Sequence, residues 1–287
     1  MLAVTEILPI FAEKNNKMLR FISFGSGSSG NCYYLFTPTD GLLIDSGVGI
    51  RTLKKYFRDF GLSWSNVHYI FVTHDHADHV KSVGSLSHDR NIPVYSTLAV
   101  HQGISRNYCV NRKIPRELQR IIEKGKSYTV GDFTVTSFGV PHDSADNVGY
   151  CIEAEGVTFC IMTDIGEVTE EMKPYINSAE YLVIEANHDE EMLRTGSYPE
   201  HLKKRIMSAT GHLSNHACGM ALAENMGNRL KHVWLCHLSE ENNHPELARI
   251  SVESVLRSHG IVVGRDVDEV EVLKRKVPSG IYELGVE

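Results

Sequence analysis

The segment THDHADHV, residues 73–80, places three histidines and two aspartates within the six positions from His74 to His79. It follows directly on an apolar run, HYIFV at 68–72, with the composition of a strand. Side chains at an extended strand end alternate between faces, so His74 and His76 point the same way. Asp78 and His79 follow as a helix begins. The four leave one loop as two pairs, enough to seed two adjacent divalent ions. Without a cation, five titratable groups this close would be costly to bury. Imidazole with carboxylate suits zinc, manganese or iron rather than calcium alone.

Two ions need further donors, and the chain offers them directly after apolar runs. His142 follows FTVTSFGV, Asp164 follows VTFCIM, and His237 follows HVWLC. A polar residue at the end of each apolar run is the placement expected of a site along one edge of a sheet. Asp45, in GLLIDSG, has the same placement. It reads as an outer acceptor that orients a histidine, not as a ligand.

The elements that must carry these residues can be traced from the pattern. Strands are expected at 19–24, 32–37, 41–45, 67–72, 93–95, 127–130, 133–138, 147–154, 157–162, 180–185 and 231–236. Helices are expected at 49–60, 77–89, 97–106, 199–207, 215–227 and 245–259. Runs of strands with helices interspersed predict an α/β layered sandwich. No repeat or linker divides the chain, so one domain is expected over 18–287. Residues 1–17 read as a dispensable extension or an upstream start choice; Glu6 and Pro9 interrupt a mildly apolar stretch that has no basic leader, unlike a signal peptide.

Composition narrows the functional classes. The 287 residues are 42% hydrophobic and 23% charged, ordinary globular values that permit a sizeable core. No run of about 18 apolar residues predicts a membrane span, and a cytoplasmic location is expected. Six cysteines without a C-x-x-C pair fit reduced thiols rather than a zinc ribbon. The net charge of −7 argues against a wholesale basic coat for nucleic acid. Residues 101–126 differ: Arg106, Arg112, Lys113, Arg116, Arg120, Lys124 and Lys126 face only Glu117 and Glu123, a local +5 that leaves −12 elsewhere. That stretch is either a solvated face or a surface for phosphates, joined by Arg194 and Lys203–Arg205.

THDHADH matches the T-H-x-H-x-D-H signature of the metallo-β-lactamase superfamily, and the chain resembles that family from Met18 onward. The resemblance implies a four-layer αβ/βα sandwich, two mixed sheets flanked by helices, with two divalent ions at one edge, zinc first and manganese or iron as alternatives. It implies that His74, His76 and His142 hold one ion and Asp78, His79 and His237 the other. Asp164 would bridge them, together with a water or hydroxide, for hydrolysis. A carboxylate at 164 stands where the main group of zinc lactamases places a cysteine, which argues against a strict β-lactamase. A glyoxalase-type thioesterase would share all seven ligands.

Two further segments are similar to the tRNase Z-like nucleases: VIEANHDEEML at 183–193 and ATGHLSNHACGMAL at 209–222. By that resemblance His212 is a general acid supported by Glu185, although Asn187 and Leu213-Ser214 depart from the pattern. Without it, Glu185 could equally cap a helix and His212 close a loop. LRFISFGSGSSGNCYYL, IEANHD, GHLSN and CHLSEENN resemble the YycJ/WalJ branch. That resemblance implies a DNA exonuclease acting from the 5′ end, associated with DNA repair. On this reading Asp78, His212 and Glu185 are catalytic. Ser26, Ser28, Ser29 and Asn31, in GSGSSGN, contact phosphate, or else form a tight turn. Ser214 and Asn215 are further substrate contacts, and His188 is an outer or substrate histidine. Asn242, Asn243 and His244 brace a loop or touch substrate. The rival within enzymes is a hydrolase of a small ester, thioester or cyclic phosphodiester. A diiron electron carrier would need a flavin partner. The oligomeric state stays open, a dimer included.

Overall fold

The structure is a computed structural model that describes residues 18–285; the expected extension at 1–17 lies outside them. Strands β1 (Leu19–Gly25), β2 (Cys32–Phe36), β3 (Gly41–Ile44), β4 (Tyr69–Phe71), β5 (Val94–Ser96) and β6 (Gln119–Ile121) belong to one sheet. Strands β7 (Ser127–Val130), β8 (Phe133–Gly139), β9 (Val148–Ala154), β10 (Val157–Met162), β11 (Tyr181–Glu185), β12 (His232–Cys236) and β13 (Glu269–Val272) form the other. β14 (Tyr282–Leu284) returns to the outer edge of β1. The orders are β14-β1-β2-β3-β4-β5-β6 and β13-β12-β11-β10-β9-β8-β7.

Each sheet is antiparallel on one side and parallel on the other. Pairing changes to parallel from β3 to β4 in the first sheet and from β10 to β11 in the second. Period-two alternation explains the layering. Phe21, Tyr33 and Leu35 face the second sheet, where they pack with Tyr150, Phe159 and Trp234. The intervening Ile22, Cys32 and Tyr34 pack instead on Leu53 and Phe57 of α1 (Ile50–Asp59), with Val80, Val83 and Val100 nearby. β10 and β11 are buried at every position, as strands covered on both faces must be. Their outer face meets α5 (Lys173–Ser178), α8 (Asn215–Asn225) and α9 (Pro245–Ser258). The result is helices, sheet, sheet, helices: the α/β four-layer arrangement.

Several expectations need correction. The helix expected over 77–89 is two pieces, α2 (Ala77–Val80) and α3 (Val83–Arg90). Ser82 breaks it: its N–H donates to Ser46 O at 2.8 Å and its hydroxyl to Val48 O at 2.7 Å, tying the joint to the loop after β3. Unforeseen were β6, β13 and β14, all three or four residues long and at or beside sheet edges, and the six-residue helices α5 and α6 (Glu190–Thr195). The remaining helices, α4 (Leu98–Arg106) and α7 (Glu200–Ile206), lie where expected. All six cysteines are free thiols. No helix among the described residues is long and apolar enough to cross a membrane.

Candidate metal centre

All residues of the centre but His212 lie at or just beyond the carboxyl end of a strand, and these strands run the same way in their sheet. The first sheet contributes Asp45 after β3 and His74, His76, Asp78 and His79 after β4. The second contributes His142 after β8, Asp164 after β10, Glu185 at the end of β11 and His237 after β12. Parallel register sets Glu185 opposite Cys236, and so beside His237. His212 precedes α8, whose first turn is capped by Ser214 Oγ accepting from Ala217 N.

Three of these residues have backbones that L-residues seldom adopt. Asp45, Asp164 and His237 have φ of 59°, 55° and 53°. A non-glycine residue held so costs about 1–3 kcal/mol, and such positions gather at functional sites. Here each turns a side chain across the strand end toward the gap between the sheets.

Hydrogen bonds set which ring nitrogen each histidine presents. His79 Nδ1 donates to Asp45 at 2.7 Å, His237 Nδ1 to Glu185 at 2.9 Å, and His142 Nδ1 to Gly211 O at 3.0 Å. Each therefore offers its Nε2 lone pair. His74 Nδ1 lies 3.0 Å from Thr73 Oγ1, while its Nε2 is buried with no hydrogen-bond partner. His142 Nε2 and His76 Nδ1 are 3.3 Å apart, His79 Nε2 and Asp164 Oδ2 3.2 Å, and His237 Nε2 and Asp78 Oδ2 3.4 Å. Ligand atoms about 2.1 Å from a tetrahedral zinc would be about 3.4 Å from one another. The spacing, and the partnerless buried nitrogen of His74, fit a divalent cation. Groups of donors within 4.8 Å of one another include His74, His76 and His142, and Asp78, His79 and His237, with Asp164 grouped beside both His74–His79 and His237.

The electrostatics match. Burial alone would raise the Asp164 carboxyl, but His237 and His79 hold it well below its usual range. Burial likewise opposes charge on His79, yet Asp164 and Asp45 push it up to about 10. His237 also rises, against burial, chiefly because of Asp164. With only protons available, the carboxylates recruit them onto imidazoles; a dication would serve the same charges.

Glu185 is fully buried and does not cap a helix. Its Oε1 accepts from His212 Nδ1 at 2.8 Å and from His237 Nδ1; its Oε2 accepts from Ile165 N at 2.7 Å and Leu213 N at 3.0 Å. Burial would raise its carboxyl, but His212 lowers it to about 2. Burial lowers His212, and Glu185 outweighs that, holding the imidazole above its usual range.

The expected substrate contacts are placed differently from one another. Ser28 and Ser29 are exposed on the β1–β2 loop. Ser26 and Asn31 are fully buried: Ser26 Oγ accepts from His237 N at 2.9 Å, and Asn31 Nδ2 lies 2.8 Å from His79 Nε2. They hold metal-site residues in place. Ser214 donates to Glu190 Oε1 at 2.8 Å, and buried Asn215 exchanges hydrogen bonds with Asn243, which also donates to Ala186 O and Asn187 O. Asn242 is buried and His244 caps α9. His188 is buried in the wall of a cavity shared with His212, Arg194 and Met207, and its carbonyl accepts from Asn215 N at 2.8 Å. Sequence reasoning passed over Thr73, whose N–H and hydroxyl both donate to Asp45 at 2.8 Å, although it stands inside the motif. Asn187, noted there only as a departure from the nuclease pattern, donates to His237 O at 2.8 Å.

A model of the "Beta-lactamase superfamily domain" matches residues 41–237, spanning the whole set of metal-site residues. The chain belongs to the β-lactamase superfamily. Superfamily members similar to it include "Exodeoxyribonuclease YycJ" of Bacillus anthracis, 37% identical over 92% of this chain and 98% of that protein. "Exodeoxyribonuclease WalJ" of Streptococcus pneumoniae is 35% identical over 86% of this chain and 91% of its own. Among solved structures, the metallo-β-lactamase fold protein YhfI of Bacillus subtilis shares the fold, with a TM-score of 0.68 at 18% identity, covering 93% of this chain and 99% of YhfI. Within the superfamily the chain is of the YycJ/WalJ type, and it is a metal-dependent hydrolase.

Proposed function

We propose that the protein is a nuclease that hydrolyses DNA phosphodiester bonds, removing nucleotides from a 5′ end. The observation that carries this reading is the His212–Glu185 pair, 2.8 Å apart, with His212 Nδ1 3.9 Å from Asp164 Oδ1. An ester or thioester with a good leaving group has little need of an acid there; a phosphodiester, which must expel an alkoxide, does. The names of the relatives, both exodeoxyribonucleases at 35–37% identity, support DNA as the polymer.

His74, His76 and His142 would hold one ion, and Asp78, His79 and His237 the other, with Asp164 between. When bound, the pair supplies an activated water and positive charge against the attacked phosphoryl group. His212 keeps its Nδ1 proton on Glu185 Oε1, which leaves Nε2 to hand a proton to the departing oxygen. Glu185, ionised and held by two backbone amides, fixes that ring and charges it. Ser28 and Ser29 are exposed near the same edge for contact with the strand. Of the basic residues, Arg112 pairs with Asp89, Lys124 with Asp146 and Lys126 with Glu123, while Lys203 caps α6 through Arg194 O. Arg106, Lys113, Arg116 and Arg120 have no acidic partner among the described residues, Lys113 and Arg120 donating only to backbone carbonyls, so these four are the cations of the 101–126 stretch left to face a phosphate backbone.

The test uses 5′- and 3′-labelled DNA and RNA with manganese or zinc, beside a chromogenic diester whose phenolate leaves without a proton. His212→Ala is expected to lower kcat on DNA by about 10²–10⁴-fold and to affect the chromogenic diester far less. Asp78→Ala should abolish both. Turnover of small esters with no cleavage of DNA would replace this reading by that of a small-molecule hydrolase. Equal losses on both substrates in His212→Ala would remove the general acid.

A further inference from the structure

Tyr108 is 89% exposed, whereas no other large exposed hydrophobic side chain among the described residues passes 56%. An aromatic ring left in water is ordinary on a loose loop, but this loop is held. Asn107 Nδ2 donates to Asp75 O at 2.7 Å, within the metal loop itself, and Asn107 Oδ1 accepts from Cys109 N at 2.9 Å. Lys113 Nζ adds a bond to Asn107 O at 2.8 Å. Helix α4, which carries the loop, abuts the same segment: a Cβ on Gly103 would come within 2.1 Å of an Asp75 carboxylate oxygen. The backbone that carries the ring is thus held relative to His74 and His76, which flank Asp75.

Between Tyr108 and the centre runs an open cleft whose floor is small, Ala77, Gly103 and Ala145, and whose walls include His76 and Arg106. Asp75, the acid beside it, already accepts from Ala145 N at 3.1 Å. Arg106 keeps its charge free of any acidic partner among the described residues. A flat aromatic face, an unpaired guanidinium and a shallow floor leading to a metal-site histidine are the parts that bind unpaired nucleic acid: stacking for a base and a cation for its phosphate. Tyrosine suits the task because only two side-chain torsions need ordering.

Building on the nuclease reading, we infer that Tyr108 and Arg106 form a platform on which a nucleobase next to the scissile phosphate stacks. A base can lie on Tyr108 only when it has left its partner strand and neighbour. The enzyme therefore engages a single-stranded or frayed end.

The test is binding of the metal-loaded, full-length protein to a single-stranded phosphorothioate oligonucleotide that resists cleavage, read by fluorescence anisotropy. Tyr108→Ala is expected to weaken binding about 5- to 100-fold, the size of one lost base–aromatic stack. Tyr108→Phe should retain it, and Tyr108→Trp should show indole fluorescence quenched on binding. Moving one abasic position along the oligonucleotide should weaken wild-type binding at a single place and leave Tyr108→Ala indifferent there. Equal affinity of wild type and Tyr108→Ala, or identical abasic profiles, would overturn the platform while leaving the nuclease reading intact. A wild-type protein that binds no single-stranded oligonucleotide would also overturn the platform, while the nuclease reading itself stands or falls on cleavage of the labelled DNA.

Discussion

Asp45 accepts three hydrogen bonds at full burial, from Thr73 N, Thr73 Oγ1 and His79 Nδ1, at 2.7–2.8 Å. Because Thr73 gives its hydroxyl proton to Asp45, its oxygen is left to accept from His74 Nδ1. One carboxylate thus fixes the tautomer of His79 directly and of His74 through Thr73, and the proposed reading assigns these histidines to different ions. Asp45→Asn would set an amide N–H against donors on at least one side. Outer partners of this kind are worth about 10- to 100-fold in metal affinity. The expected outcome is weaker binding at both positions, by about that factor, in competition with a chromogenic chelator. Loss at only one position would show that the path through Thr73 does not hold His74.

At the scale of elements, two loops lock the motif through backbone hydrogen bonds. Asn31 N donates to Asp78 O at 2.7 Å, Ser46 N to His79 O at 2.7 Å, and Gly47 N to Asn31 O at 2.8 Å. A Cβ on Gly47 would fall 1.5 Å from Asp78 O, so no larger residue fits unless the loop carrying Asp78 and His79 retreats. Gly47→Ala is expected to cost about 1–3 kcal/mol in chemical denaturation, as overpacking does, and to weaken metal retention at Asp78 and His79. Unchanged stability would mean that the loop yields freely. Nothing in GLLIDSG announces this contact, because it is made with residues some thirty positions away. The same distance explains which parts of the centre were legible. His142, Asp164 and His237 stand out as polar residues ending apolar runs, a local signal. Ser26 and Asn31 sit in a glycine–serine loop that reads equally as a phosphate cradle; distant partners, His237 for Ser26 and Asp78 and His79 for Asn31, meet them only in the fold. The short edge strands β13 and β14 carry too few residues to show alternation, and α5 and α6 are under two turns, too short for helical periodicity.

At the scale of the molecule, the two sheets meet along a hydrophobic core on one side and a cluster of charges on the other. Asp45 and His74–His79 come from one sheet; His142, Asp164, Glu185, His212 and His237 come from the other. Without a metal, His79, His212 and His237 hold protons more tightly than in the unfolded chain: burial opposes this, and the neighbouring Asp164 and Glu185 outweigh it. Above pH of about 6.5 an unfolded histidine is neutral. The folded, metal-free protein then binds more protons than the unfolded one, so its stability falls as pH rises, up to His79's value of about 10. Each histidine so held contributes a slope of up to about 1.4 kcal/mol per pH unit. Below that window the sign reverses, because burial keeps His74 and His142 neutral in the folded state. Metal ligands must be neutral, so loading expels the protons of His79 and His237, though not that of His212, and strengthens as pH rises. Between pH 6.5 and 8, below the range of unfolded thiols, the Tm of chelator-treated protein is expected to decline. The gap between loaded and metal-free protein should widen over the same interval. A metal-free Tm that is flat or climbing across it would mean that the cluster is not held together by protons shared between the sheets, and that the carboxylates are balanced in some other way.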